Sequence, residues 1–162
     1  MAISFNADEI FEMAEEIERN AAKFYREAAK NTDDEAMKKV FLDLAVMEDG
    51  HIKVFKEMRS HLDDSDREPM LLDPDNEAAL YLQSMADSHG SEGKKDLKTK
   101  LSGKESAKEV LVIAVNAENN SIVFYTVLKG LVTPTGKEKI EEIISEEVSH
   151  LVILKMQLTK LS

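Results

Sequence analysis

The sequence contains no cysteine. Disulfides, iron–sulfur clusters, zinc knuckles and thiol nucleophiles are excluded together, and the redox compartment stays undetermined. Proline is scarce at 3 residues and glycine at 6. Apart from Gly50 and Gly130, both keep out of the stretches with helical periodicity. Positive charge is in deficit: 21 Lys and Arg face 32 Asp and Glu, a formal net charge of −11. That balance argues against a nucleic-acid backbone or an anionic membrane as partner. The opening MAISFNADEI lacks the basic start and apolar run of a signal peptide. No apolar stretch reads as long enough to span a membrane, so the cytoplasm is the expected location.

What is present is a chain of 162 residues, 43% hydrophobic and 33% charged. That is enough for one domain with a sizeable core, and a single domain over 1–162 is expected. Four long helical patterns account for most of it. The first opens at the capping box Asn6-x-x-Glu9 and runs to about Lys30, with the stripe Phe11, Ala14, Glu18, Ala21, Tyr25 and Ala28. The second opens at Thr32-x-x-Glu35 and runs to about Leu62. Its stripe is Met37, Phe41, Leu44, Glu48, His51, Phe55, Met58 and Leu62. The third opens at Ser102-x-x-Glu105 and runs to about Leu131, through Ala107, Leu111, Ala114, Glu118, Ser121, Tyr125 and Leu128. The fourth opens at Thr135-x-x-Glu138, with Ile140, Ile143, Glu147, His150, Leu154, Gln157 and Leu161 on one face.

Each stripe would be an ordinary core face if its central polar members were leucines. Two stripes carry a lone glutamate, Glu18 and Glu118. The other two carry Glu-x-x-His, as Glu48/His51 and Glu147/His150. Residues three apart share a helix face, so each pair aims a carboxylate and an imidazole the same way. One such pair occurs by chance on many exposed helices and carries little weight alone. Here the arrangement is duplicated: Glu18-x-x-x-x-x-Phe24-Tyr25 is echoed by Glu118-x-x-x-x-x-Phe124-Tyr125. In both halves about 30 residues separate the lone glutamate from the glutamate of the following pair.

Short turns after the first and third helices make each half an antiparallel hairpin. Between the halves, from Asp63 to about Lys104, two prolines and an acidic run mark an exposed crossover. One short amphipathic helix is expected within it, over Asn76 to Asp87, with Leu80, Tyr81 and Met85 inward. The resulting expectation is an all-α four-helix bundle of two antiparallel hairpins joined by that crossover. Helices of roughly 26 residues are about 40 Å long at 1.5 Å per residue, and their midpoints meet at one level. All six residues then converge in the core. Four ionised carboxylates in an apolar interior are costly by desolvation and repulsion. Two divalent cations supply the missing positive charge, and neutral imidazoles complete the coordination. A carboxylate and imidazole shell without thiolate suits iron or manganese, with zinc as a substitute. His61 and His89, at a helix end and in a polar stretch, read as solvated residues.

One glutamate on each of two helices, Glu-x-x-His on each of the other two, and a long crossover resemble the ferritin-like di-iron carboxylate proteins. The wording Glu-x-x-Ala/Ser-x-x-Phe-Tyr, then Glu-x-x-His, is similar to the rubrerythrin branch. That resemblance implies two iron ions held by Glu18, Glu48, His51, Glu118, Glu147 and His150, with Glu48 and Glu147 as bridges. It implies supporting roles for Tyr25 and Tyr125, an oxidoreductase reaction with hydrogen peroxide or dioxygen, and, by analogy, a homodimer. Two departures bear on the reaction. Peroxide-reducing rubrerythrins carry a further glutamate where this chain has Ser121. They also carry a Cys-ligated rubredoxin domain, which a chain without cysteine cannot supply, so a separate electron donor such as a rubredoxin is expected. A ferroxidase or iron-storage protein of ferritin type, and a structural bundle with a degenerate site, are the alternatives left open.

Overall fold

Local capping chemistry decides where each helix begins. The computed structural model describes residues 5–68, 80–81, 84, 101–132 and 134–162. Helix α1, Ala7–Lys30, starts at the expected capping box: Glu9 N donates to Asn6 Oδ1 at 2.9 Å, and Asn6 N donates to Glu9 Oε2 at 2.9 Å. Helix α2, Glu35–Ser60, is capped by Asp34 rather than Thr32. The Asp34 carboxylate sits one residue before the helix and accepts from Ala36 N at 2.9 Å and Met37 N at 3.1 Å. Thr32 Oγ1 accepts only from Asp34 N, at 3.3 Å.

Helix α3, Ala107–Leu131, begins later than the Ser102-x-x-Glu105 pattern predicts. Ser102 N and Oγ do donate to Glu105 Oε1, each at 2.8 Å, but they close an isolated turn. Gly103 within it has φ 82°, a left-handed conformation that no helix can propagate through. The functioning box is Ser106 with Glu109. Helix α4, Pro134–Lys160, starts at proline, whose fixed φ and missing N–H suit a first helical turn. The helix stops at Lys160, so Leu161 falls beyond it and is exposed rather than in the core stripe.

Helix α1 packs chiefly on α2, and α3 on α4, giving two hairpins, with no strand among the described residues. One core cluster joins the N-terminal half of α1 (Ile10, Phe11, Ala14) to the C-terminal end of α2 (Phe55, Met58). The same cluster includes the C-terminal half of α3 (Phe124, Tyr125, Leu128) and the start of α4 (Ile140, Ile143). A second joins the opposite ends, with Tyr25, Phe41, Leu44, Leu111 and Leu154. All neighbours in the ring are thus antiparallel, and the bundle has an apolar plug at each end with the polar residues between.

Several smaller expectations change. The predicted crossover helix falls largely outside the described residues, as do Met85 and His89. Leu80, Tyr81 and Ser84 are helical; Tyr81 is half-buried against the first cluster, but Leu80 is exposed. Contrary to expectation, α3 is long and apolar enough to cross a membrane by length and composition. Its central Glu118 nevertheless faces the bundle core. His61 is exposed and beside a cavity of about 430 Å³, lined also by Phe11, Met58 and Leu62, that includes none of the six central polar residues.

Candidate metal centre

The bundle brings all six sequence-predicted residues to one level. Glu18, Glu48, His51, Glu118, Glu147 and His150 are each no more than 3% exposed. Their donor atoms fall into two sets, each with all atoms within 4.8 Å of one another: Glu18, Glu48, His51 and Glu147, then Glu48, Glu118, Glu147 and His150. Glu48 and Glu147 belong to both. The two imidazoles stack at 5.8 Å, each turning Nδ1 inward. His51 Nδ1 lies 2.9 Å from Glu147 and 3.2 Å from Glu48. His150 Nδ1 lies 3.2 Å from Glu48 and 3.4 Å from Glu147.

Both tyrosines are fully buried and reach across the repeat. The Tyr25 hydroxyl on α1 donates to Glu118 on α3, and the Tyr125 hydroxyl on α3 donates to Glu18 on α1. Each hairpin therefore holds the lone glutamate of the other. Aromatic neighbours fix the tyrosine rings: Phe41 stacks on Tyr25 at 6.2 Å, and Phe55 packs on Tyr125 at 5.1 Å. Burial, together with the facing carboxylates, pushes both phenols well above their ordinary range, so they remain donors.

Electrostatically the six residues divide. Burial, reinforced by the charges of Glu48 and Glu147, raises Glu18 well above the usual carboxylate range. Burial and a hydrogen bond to Glu147 do the same to Glu118. For Glu48, burial is outweighed by the facing imidazoles of His150 and His51, each with Nδ1 3.2 Å away, and the net shift is downward. Glu147 is depressed too, because Glu118, His150 and His51 overcome its burial. Burial disfavours charge on His150, but Glu118, Glu147 and Glu48 prevail and carry it to about 12. His51 is raised likewise by Glu147, Glu18 and Glu48 against its burial. Without a cation the shifts pair off: Glu18 and Glu118 are raised, and the raised histidines face the depressed Glu48 and Glu147.

That pairing leaves polar atoms stranded. Both Glu48 oxygens, Glu147 Oε1, His51 Nδ1 and both His150 ring nitrogens are buried without a hydrogen-bond partner. Buried polar groups are nearly always satisfied, so orphans converging on one point fit a cation between them. Oxygen and imidazole donors with no sulfur match the needs of iron or manganese.

Sequence reasoning did not single out Glu146. It lies beside Glu147 but points sideways, and its Oε2 takes the His51 Nε2–H at 2.7 Å. A helical wheel of α4 shows Glu146 on the flank toward α2, the available signal. The ring of ion pairs from Arg59 to Asp8 and Glu15 also went unnoticed, because its partners lie more than forty residues apart.

Fold and site together define a ferritin-like bundle with a buried carboxylate–histidine cluster able to hold metal. The Rubrerythrin family pattern matches residues 9–89, which is half of the chain. The chain belongs to the rubrerythrin family. A solved structure described as a candidate ferritin-like diiron-carboxylate protein from Thermotoga maritima is similar over 100% of both chains, with TM-score 0.71 and 25% identity. Among curated protein sequences, none matches this chain.

Proposed function

We propose that the six residues hold two iron ions and that the protein is an oxidoreductase toward hydrogen peroxide or dioxygen. The observation that carries this is the convergence of orphaned buried donor atoms into two sets sharing Glu48 and Glu147. Glu18 and His51 would complete one set and Glu118 and His150 the other, with Glu48 and Glu147 common to both. Two ferrous ions so held supply two electrons, enough with two protons to take one peroxide to two waters.

The chain's own residues set the conditions for that exchange. Tyr125 and Tyr25 fix the lone carboxylates of Glu18 and Glu118 through hydroxyl donors and keep a proton beside each. The apolar clusters above and below exclude bulk water and lower the local dielectric. Ser121 lies at the edge of the cluster, with its hydroxyl donated to Ala117 O at 3.1 Å. It therefore contributes no carboxylate where peroxide-reducing relatives are expected to have one. The 162 residues hold no cysteine to ligate a rubredoxin-type iron, so the reading includes an electron donor outside this bundle.

The test is stopped-flow mixing of the ferrous-loaded protein with hydrogen peroxide and, in a separate arm, with dioxygen. Oxidation by either at a rate well above that of free ferrous ion is expected. Oxidation no faster than free iron in both arms contradicts an oxidoreductase role. Net accumulation of many irons per chain would favour iron storage instead.

A further inference from the structure

The six central residues are closed off on most sides. Apolar clusters plug both ends of the bundle. Between α1 and α3, the buried hydroxyls of Tyr25 and Tyr125 already hold Glu118 and Glu18. The α1/α2 seam is laced by guanidinium groups: Arg26 pairs with Asp49, and Arg19 and Arg59 both pair with the buried Glu15. Its carboxylates are therefore already matched by fixed positive charge. Adding 100 to an α1 number, or 99 to an α2 number, gives the equivalent residue in the second hairpin, as Glu18/Glu118 and His51/His150 show. In the α3/α4 seam that repeat puts Val115 and Val148 where Glu15 and Asp49 stand, so no carboxylate occupies those positions.

The α2/α4 seam is different. Glu146 and Glu147 are consecutive on α4, yet their carboxylates stand on opposite sides of one imidazole. On the outer side, Glu146 Oε2 takes the His51 Nε2–H at 2.7 Å, and the Glu146 side chain is 53% exposed. On the inner side, His51 Nδ1 lies 2.9 Å from Glu147 Oε1, and neither of those buried atoms makes a hydrogen bond. Among the described residues, no lysine or arginine pairs with Glu146. The repeat shows that the bundle does not need this carboxylate to form. Its equivalent on α2 is Met47, and the His150 Nε2 beside it is left without a partner.

We infer that Glu146 is the point at which divalent cations are captured, and that His51 is the side chain that moves aside to admit them. The inference rests on the reading that the six residues hold metal. A chain of net charge −11 draws cations toward its surface, and Glu146 presents them with an exposed carboxylate one imidazole away from the cluster. The same oxygen that takes the ion is the one that holds the ring. Capture therefore competes for the His51 hydrogen bond, and with that bond released the ring is free to turn about its side-chain bonds. Glu147, the next residue, then offers its unbonded Oε1 on the inner side. Met47 offers only a thioether, a poor ligand for a hard cation, so the seam beside His150 lacks an equivalent capture point. Both ions accordingly load past His51.

The test is stopped-flow uptake of cobalt(II) by the full metal-free chain, read from the absorption of the bound ion, with the final content measured by elemental analysis. Glu146→Gln keeps an acceptor for the His51 N–H but removes the charge, and uptake of both ions should slow by roughly 10-fold or more. Support of His51 alone would act on release of the ion at that side and leave the uptake rate unchanged. Adding Met47→Glu to this variant sets a carboxylate beside His150 and should restore fast uptake. A control, Glu142→Gln, alters an exposed acid one turn before Glu146 and should stay within about twofold of the natural rate, since screening limits the reach of a single exposed charge. All three substitutions lie on exposed positions, so helical circular dichroism should be unchanged. Uptake by Glu146→Gln as fast as by the natural protein overturns the inference, as does equal slowing in Glu142→Gln or a failed rescue by Met47→Glu. A natural chain that takes up no cobalt overturns the metal reading itself, and the capture point with it.

Discussion

Tyr25 and Tyr125 exchange their hydroxyls across the bundle, so each lone glutamate depends on a residue from the other half of the chain. Tyr25→Phe and Tyr125→Phe should each destabilise the protein by about 1–3 kcal/mol, the range for stranding a buried polar partner. Urea titration of each variant measures it, and no loss in either would mean the hydroxyls find no carboxylate. Glu146 distinguishes the two histidines. It takes the outer nitrogen of His51, whereas the equivalent position for His150 is Met47 and that nitrogen has no partner. Glu146→Gln should weaken metal binding about 10–100-fold at the His51 side, the usual effect of losing such a support. A competition titration with a chelator should then show one weakened ion and one unchanged. Two equally weakened ions, or none, would contradict the asymmetry.

The same cluster sets the pH behaviour of the metal-free protein. His51 and His150 have folded pKa values raised above the unfolded 6.5. Their contribution is therefore complete below pH 6.5 and is lost as pH climbs toward the folded values. Glu18 and Glu118 are raised above 4.5, so ionising them with increasing pH also works against the fold. Glu48 and Glu147 are depressed, and their contribution fades only in strong acid. The metal-free melting temperature should fall steadily from pH 6.5 to 9. In the metal-loaded form the cation replaces those protons, and the fall should disappear. Parallel thermal scans decide it; identical pH profiles with and without metal would contradict the pattern of shifts described above.

At the scale of elements, helix boundaries were the least legible feature of the sequence. The patterns Thr32-x-x-Glu35 and Ser102-x-x-Glu105 satisfy the capping rule as well as the pairs in use. In the first, Asp34 stands closer and bonds two backbone donors; in the second, Gly103 adopts a left-handed turn. The four-residue spacing alone does not tell which of these candidates caps the helix. The consequence is measurable. Ser106→Ala should cost about 1 kcal/mol of stability, whereas Ser102→Ala should cost a few tenths. A larger loss at Ser102 would place the start of α3 where the sequence pattern put it. The faces of the helices, by contrast, were legible, because burial repeats every three to four residues and a buried glutamate or histidine breaks that pattern visibly.

For the molecule as a whole, the convergence of the six residues followed from symmetry. Two similar hairpins, each with its polar residues at mid-length, can only meet at one level when packed antiparallel. What symmetry could not reveal was where the halves differ: the sideways Glu146 beside His51, and the ion pairs from Arg59 to Asp8 and Glu15. Those depend on contacts between distant positions or on faces turned away from the core. The family relationship bounds the chemistry as a class, and the metal content of this chain decides whether it belongs there. The most direct measurement is iron per chain, determined by elemental analysis after anaerobic loading and desalting, on the natural protein and on Glu48→Ala/Glu147→Ala. Two irons per chain that vanish in the double variant are predicted. Iron that stays near zero in the natural protein, or survives removal of both shared carboxylates, would contradict the account.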